Sequence, residues 1–214
     1  MIQEVIFDLD GVIVSTDEFH YQGWQHLADE LGVYFDRHIN ERLRGVSRMG
    51  SLEILLERAT RSYTLAEKQE CCDRKNKYYQ ALLESLSRAD ILPGVLKLLP
   101  ELKARGIKIA IGSSSRNCPT ILERVGLAGV FDTVVDGNHI TRTKPDPETF
   151  LLAAQRLGIS PNYCLVVEDA EAGVSGALAA GMKVLAVGSA SNDSRAHRRA
   201  HDLSQLTAQD LLAI

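Results

Sequence analysis

FDLDGVIVST, residues 7–16, closes an apolar run that begins at Val5. Glu4 to Phe7 reads as a short buried strand. It ends in two aspartates one residue apart, followed by a glycine. If the chain stays extended, Asp8 and Asp10 point to one face. If it turns at Gly11, Asp10 swings over Asp8. Two carboxylates this close repel one another, so the fold must supply something that offsets the charge.

Working outward, the chain changes character twice. From about 17 to 87 the signals are helical, with little β-branched alternation. Helices are predicted at about 17–31, 36–43, 47–60 and 64–87. The first starts at Ser15-Thr16-Asp17-Glu18, a sequence that fits a capping box, and Gly32 fits its end. After Pro93, strands and helices alternate. Ile107 to Gly112, Val130 to Val135, Tyr163 to Val167 and Met182 to Val187 read as strands. Helices are expected at 118–125, at 147–157 with Asp146 as N-cap, and at 170–180, which is rich in alanine and glycine. Pro100, inside the helical stretch 95–105, is expected to kink or restart that helix. Such alternation implies an α/β fold, a Rossmann-like parallel sheet flanked by helices. The predicted organisation is a core of residues 1–14 and 88–214 with a helical cap, residues 15–87, inserted in it.

In such a sheet, ligands lie beyond the carboxyl ends of the strands. Asp8, Ser113, Lys144 and the pair Glu168-Asp169 each fall at or just past a predicted strand end, so they should converge on one rim. Asp8, Asp10, Glu168 and Asp169 together are tolerable around a divalent cation, and all-oxygen ligands favour Mg2+, which usually shares a phosphate. Lys144 is a point charge for that phosphate or for a nucleophile, and Ser113 can donate to a phosphoryl oxygen. A carboxylate can attack phosphorus to give an aspartyl-phosphate. Asp8 is the candidate for that role and Asp10 for the acid and base. Each motif alone has a plain structural explanation, since aspartates after strands cap turns and acidic residues suit helix N-termini. Four of them at four strand ends are harder to dismiss.

The bulk properties narrow the class. The chain has 214 residues, 45% hydrophobic and 24% charged, with a net charge of −4 and a pI of about 5.9. That balance argues against a nucleic-acid partner, and the run Arg195 to Arg199 is expected on a solvated helix face or loop. No apolar run approaches membrane-spanning length, and the start lacks a basic signal-type region. Cys71, Cys72, Cys118 and Cys164 show no zinc spacing and suit a reduced, cytoplasmic chain.

The order DxDG, strand-end serine, Lys-Pro, then Glu-Asp before a small-residue helix resembles the haloacid dehalogenase superfamily of phosphotransferases over nearly the whole chain. The resemblance implies Asp8 as nucleophile and Asp10 as acid/base. It makes Ser113 and Lys144 phosphate ligands, and Glu168 and Asp169 the acidic pair of a magnesium site that also takes the Asp10 carbonyl. The second aspartate separates the chain from true dehalogenases, and the helical insert matches the small cap of one subclass.

Within that superfamily, Thr16, His20, Trp24, RGVSR (44–48), Ser51, Arg74-Lys75-Asn76, SSSRN (113–117) and KPDP (144–147) resemble the hexose-phosphate mutase branch. This implies interconversion of β-glucose 1-phosphate and glucose 6-phosphate through glucose 1,6-bisphosphate. Carried over, Arg48 grips the phosphate distant from Asp8. His20, Trp24, Arg44, Gly45, Val46, Ser47, Ser51 and Lys75 line the sugar site, Ser114, Ser115, Arg116 and Asn117 bind from the core side, and Thr16 belongs to the hinge. The branch usually has lysine where this chain has Arg44, and a more acidic pair in place of Met49-Gly50. Trp24 also fits a plain core stripe with His20, Leu27 and Leu31. The expected partners are small hexose phosphates, without nucleic acid or membrane, bound by a monomer. The competing readings are a magnesium-dependent sugar-phosphate phosphatase of the same fold and a non-catalytic sugar-phosphate binder. An intact Asp8, Asp10, Lys144 and Asp169 argue against the binder.

Overall fold

The computed structural model describes residues 1–43 and 46–214. Along the chain the elements are β1 (Glu4–Phe7), α1 (Asp17–Leu31), α2 (Arg37–Glu41), α3 (Arg48–Leu56), α4 (Leu65–Leu83), α5 (Val95–Ala104), β2 (Lys108–Gly112), α6 (Cys118–Arg124), β3 (Thr133–Val135), α7 (Glu148–Leu157), β4 (Cys164–Glu168), α8 (Glu171–Ala179), β5 (Lys183–Ala186), β6 (Arg198–Arg199) and α9 (Ala208–Leu212). They form two compact units: Met1–Ser15 with Ser87–Ile214, and Thr16–Leu86.

The first unit is a six-stranded sheet in the order β3-β2-β1-β4-β5-β6. Every neighbouring pair is parallel. Val5 of β1 sits between Ile109 and Leu165. A parallel sheet is covered by helices on both faces, so its central strands read as unbroken apolar runs. All four residues of β1 and all five of β4 are buried accordingly. On one face Ile6, Ala110, Val166 and Val184 pack with Phe150, Ala153 and Ala154 of α7 and Val174 and Ala177 of α8. This is the Rossmann-like α/β fold that the alternation implied.

Two expectations are corrected. Arg198–Arg199 is neither helix face nor loop but a short edge strand on β5. Arginines suit an edge that must not pair further, and two residues are too few to show a strand period. Helix α5 does not restart at Pro100 but continues through it. The proline deprives the Leu96 carbonyl of its partner, but both residues are exposed, so water can take its place.

The second unit is helical. Trp24, Leu27 and Ala28 of α1 pack with Leu52 and Leu55 of α3 and Cys71 and Cys72 of α4. Helix α4 opens with a true capping box, Thr64 and Glu67. Helix α1 does not: Thr16 is its N-cap but makes no capping bond with its side chain. Its Oγ1 lies 2.8 Å from the Tyr79 hydroxyl instead. No helix among the described residues is long and apolar enough to cross a membrane.

Glu4 is a charged residue type fully buried in the middle of the sheet. Its Oε2 accepts a hydrogen bond from Cys164 Sγ at 3.2 Å, and its Oε1 has no partner among the described residues. Burial pushes the carboxyl up to about 7, against the thiol hydrogen bond and with help from Asp132. The folded state therefore prefers the protonated acid. The stability it contributes is full below the ordinary carboxylate pKa and is lost as pH rises to about 7. The loss is on the order of 3 kcal/mol at about 1.4 kcal/mol per pKa unit. Urea midpoints should fall between about pH 5 and pH 8. Glu4→Gln should flatten that slope, and an unchanged slope would place the proton elsewhere.

Candidate active site

Asp8 directly follows β1, and its amide donates to the Val167 carbonyl at 2.9 Å, which locks it to β4. Gly11, at φ 76°, then turns the chain. The turn closes through Gly11 N to Val14 O at 2.7 Å and Ile13 N to Leu9 O at 2.9 Å. Glycine is required here twice over. The left-handed backbone disfavours a side chain, and a Cβ would lie 2.1 Å from Asp169 Oδ2. The second requirement explains why the motif reads Asp-Gly: the turn packs directly against the acidic pair after β4.

Lys144 crosses from the loop before α7 and is buried. Its Nζ donates to Asp8 Oδ1 at 2.6 Å and also to Glu168 Oε1. Among the described residues, no hydrogen bond engages the second Asp8 oxygen. Glu168 Oε2 accepts from the amides of Asp169 and Ala170 at 2.9 and 3.0 Å. Space for the Glu168 carboxylate comes from Gly173 of α8, where a Cβ would fall 1.9 Å from Oε1. Glycine at position 173 of α8 is thus a steric consequence of the site.

The electrostatics follow from burial. Desolvation alone would push the Lys144 ammonium down, but Asp8 and Glu168 more than reverse this and hold it above its ordinary value. Burial, assisted by the Asp8 charge, raises the Glu168 carboxyl, while Lys144 and the Ala170 amide oppose the rise. Asp8, Glu168 and Asp169 each offer a carboxylate oxygen, all within 4.8 Å of one another. That is a donor set for a hard divalent cation. The Asp10 carboxylate is not in this group, and its expected contribution is the main-chain carbonyl.

Ser113 follows β2 on the same rim and is buried. Its Oγ accepts the Ser115 amide at 3.0 Å, which leaves the hydroxyl hydrogen free to donate elsewhere. Ser114 Oγ is buried without a partner among the described residues. Ser115 Oγ accepts the Asn117 amide at 3.3 Å, Asn117 is buried, and Arg116 is exposed. The reading of the sequence missed Asp136. It follows β3 directly, is 1% exposed, and accepts from the Asn138 amide at 2.8 Å. Burial first, then the charges of Asp136, Asp8 and Asp10, raise the thiol of Cys118, so all three acids face the same neighbourhood. Applying the strand-end rule to β3 as well as to β1, β2 and β4 would have found it.

In the Thr16–Leu86 unit, Lys75 is 2% exposed and reaches back to α1. Its Nζ is 2.8 Å from His20 Nδ1 and lies 5.0 and 4.7 Å from the ring centroids of Trp24 and Tyr79. The His20 and Tyr79 rings are 4.2 Å apart. Trp24 is therefore both core and platform. Arg48 donates to Asn76 Oδ1 at 2.9 Å. Ser47 caps α3 by accepting the Gly50 amide, Ser51 is buried in α3, and Val46 is exposed. Arg44 and Gly45 lie outside the described residues.

This geometry has parallels. Residues 5–187 match the family model of haloacid dehalogenase-like hydrolases, and the chain belongs to that family. It is 48% identical to the β-phosphoglucomutase of Bacillus subtilis (strain 168), over 87% of this chain and 84% of that protein. It is 31% identical to the fructose-1-phosphate phosphatase YqaB of Escherichia coli (strain K12), over 86% of this chain and 95% of that protein. The crystal structure of a β-phosphoglucomutase from Clostridium difficile superposes with a TM-score of 0.92 at 37% identity, covering 98% of this chain and 95% of that one.

Burial first, then the charges of Lys75 and Arg48, hold the His20 imidazole well below its ordinary range. Its NMR ring signals should stay unmoved from about pH 8 down to about pH 6, where an ordinary histidine titrates. In Lys75→Met its protonation should move upward, because one of the opposing charges is gone. A normal His20 titration in the unsubstituted protein would show that Lys75 does not face it.

Proposed function

We propose that this chain interconverts β-D-glucose 1-phosphate and D-glucose 6-phosphate through a phosphorylated Asp8 and glucose 1,6-bisphosphate. The core geometry suits any phosphoryl transfer through an aspartate. What favours the mutase is the 48% identity to the Bacillus subtilis β-phosphoglucomutase across most of both chains. The reading of Asp8 as the nucleophile is supported by Lys144 holding one of its oxygens while, among the described residues, no hydrogen bond engages the other. That oxygen attacks phosphorus, and the P–O bond to the leaving hydroxyl breaks as Asp10 gives it a proton. In the second half a sugar hydroxyl attacks the phosphoaspartate, Asp10 takes its proton, and the Asp8 carboxylate is restored.

Ser113 and Lys144 would hold the transferring phosphoryl oxygens. Asp8, Glu168, Asp169 and the Asp10 carbonyl would hold Mg2+, whose chemistry when bound is to offset negative charge on the phosphoryl group. Arg48 would take the distal phosphate. His20, Trp24, Arg44, Gly45, Val46, Ser47, Ser51 and Lys75 would contact the hexose, with Ser114, Ser115, Arg116 and Asn117 from the other unit and Thr16 at the hinge. Support comes from the cationic pair Lys75 and Arg48, whose charges both act on His20. The four cysteines are free and buried, which supports a reducing, cytoplasmic setting. The second reading, a sugar-phosphate phosphatase, has its own support in the similarity to YqaB. It differs in whether water or sugar receives the phosphoryl group.

Product partition decides between them. With β-glucose 1-phosphate, Mg2+ and a trace of glucose 1,6-bisphosphate, glucose 6-phosphate should far exceed free phosphate. Asp8→Asn should abolish turnover, Asp10→Asn should lower it by roughly 10²- to 10⁴-fold, and a chelator should remove it reversibly. Free phosphate equal to the substrate lost would make the chain a phosphatase.

A further inference from the structure

The turn after β3 packs against the loop that carries Ser113, and its hydrogen bonds are unusually directed. Gly137 donates its amide to the Ser115 carbonyl at 3.2 Å. Asn138 Nδ2 donates to the Arg116 carbonyl at 3.0 Å. The turn itself is fastened by Asp136, whose Oδ1 accepts the Asn138 amide at 2.8 Å and lies 2.9 Å from His139 Nδ1. The His139 amide donates back to the Asp136 carbonyl at 2.9 Å. Contact between turn and loop is as close as backbones allow. A Cβ on Gly137 would stand 2.4 Å from the Ser114 carbonyl oxygen and 3.0 Å from the Arg116 nitrogen. Both sides are backbone, so neither yields by a rotamer change.

Ser113 depends on this arrangement. Its Oγ takes the Ser115 amide, and that bond sets where its own hydrogen can point. The Ser115 carbonyl, at the other end of the same residue, is the group that Gly137 holds. The path from Gly137 to the Ser113 hydroxyl therefore runs through one residue and two hydrogen bonds. We propose that the Asp136–His139 turn is the positioning element of the phosphoryl-binding loop, with Gly137 and Asn138 as positioning residues that fix the Ser113 donor. The inference rests on the reading of Ser113 as a phosphoryl ligand.

A double-mutant cycle tests it, with turnover of β-glucose 1-phosphate and affinity for tetrafluoroaluminate with Mg2+, a mimic of the transferring phosphoryl group, as readouts. Asn138 is exposed, so Asn138→Ala should fold normally. Gly137→Ala displaces the loop more strongly and is checked by its urea midpoint. Ser113→Ala should cost about tenfold or more in both readouts, the size of one charge-assisted hydrogen bond. Gly137→Ala should cost about as much and Asn138→Ala several-fold. Neither should cost much further in the Ser113→Ala background, because coupled residues are not additive. Full additivity, or intact affinity in both turn variants, would overturn the positioning role. If Ser113→Ala itself changes nothing while Asp8→Asn abolishes turnover, it is the reading of Ser113 that fails.

Discussion

The arrangement of the first unit hangs on one buried ammonium. Lys144 lies between Asp8 and Glu168, and its charge offsets theirs where burial has removed the water that would otherwise do so. Removing one partner from such a buried set typically costs about 3–5 kcal/mol, because an uncompensated charge is left behind. The surroundings are fitted to this triad. The parallel pairing of β1 and β4 sets the two acids side by side. Gly173 clears space for one, two amides after β4 satisfy it, and Gly11 lets the Asp8–Asp10 turn close over Asp169. Two carboxylates and one ammonium leave a net negative charge, and Asp169 adds to it, so the strand ends have charge in reserve for a cation.

The Thr16–Leu86 unit has the opposite character. Among the described residues, its buried charged side chain is a lysine set among aromatic rings and joined to a histidine that burial keeps neutral. Arg48 adds a second positive charge close by. Each unit taken by itself therefore carries its own kind of buried charge, and the strand-end acids suit a phosphatase as readily as a mutase.

Much of this was legible in the sequence, for identifiable reasons. Parallel strands are short apolar runs that end in functional residues, so Asp8, Ser113 and Glu168-Asp169 announced themselves by position, and the alternating pattern implied the sheet. What escaped depended on contacts distant in sequence. Thr16 looked like a capping residue because Glu18 and Asp17 follow it, yet its hydroxyl is engaged by Tyr79, 63 residues on. Glu4 fell within a strand expected to be buried, yet the thiol that meets its carboxyl, Cys164, lies 160 residues on. Arg198–Arg199 has too few residues to display a period, and Pro100 is harmless only because its helix face is solvated. Asp136 followed the strand-end rule and was passed over because no recognisable motif surrounds it.

The placement of Lys75 has a consequence for binding. A free lysine side chain samples many rotamers, and immobilising it on a ligand costs roughly 1.5–2 kcal/mol. Here Trp24, Tyr79 and His20 already confine the chain, and Gly23 lets α4 approach closely enough for its Cε to lie 3.3 Å from where a β-carbon would be. That ordering was completed when the helices packed. An anion taken up there, as proposed for Lys75, would meet a charge whose direction is already fixed, so less of its attraction would be consumed in organising the receptor. Preorganisation of this kind favours discrimination by shape, because a charge that cannot follow a misplaced ligand rewards only the correctly placed one.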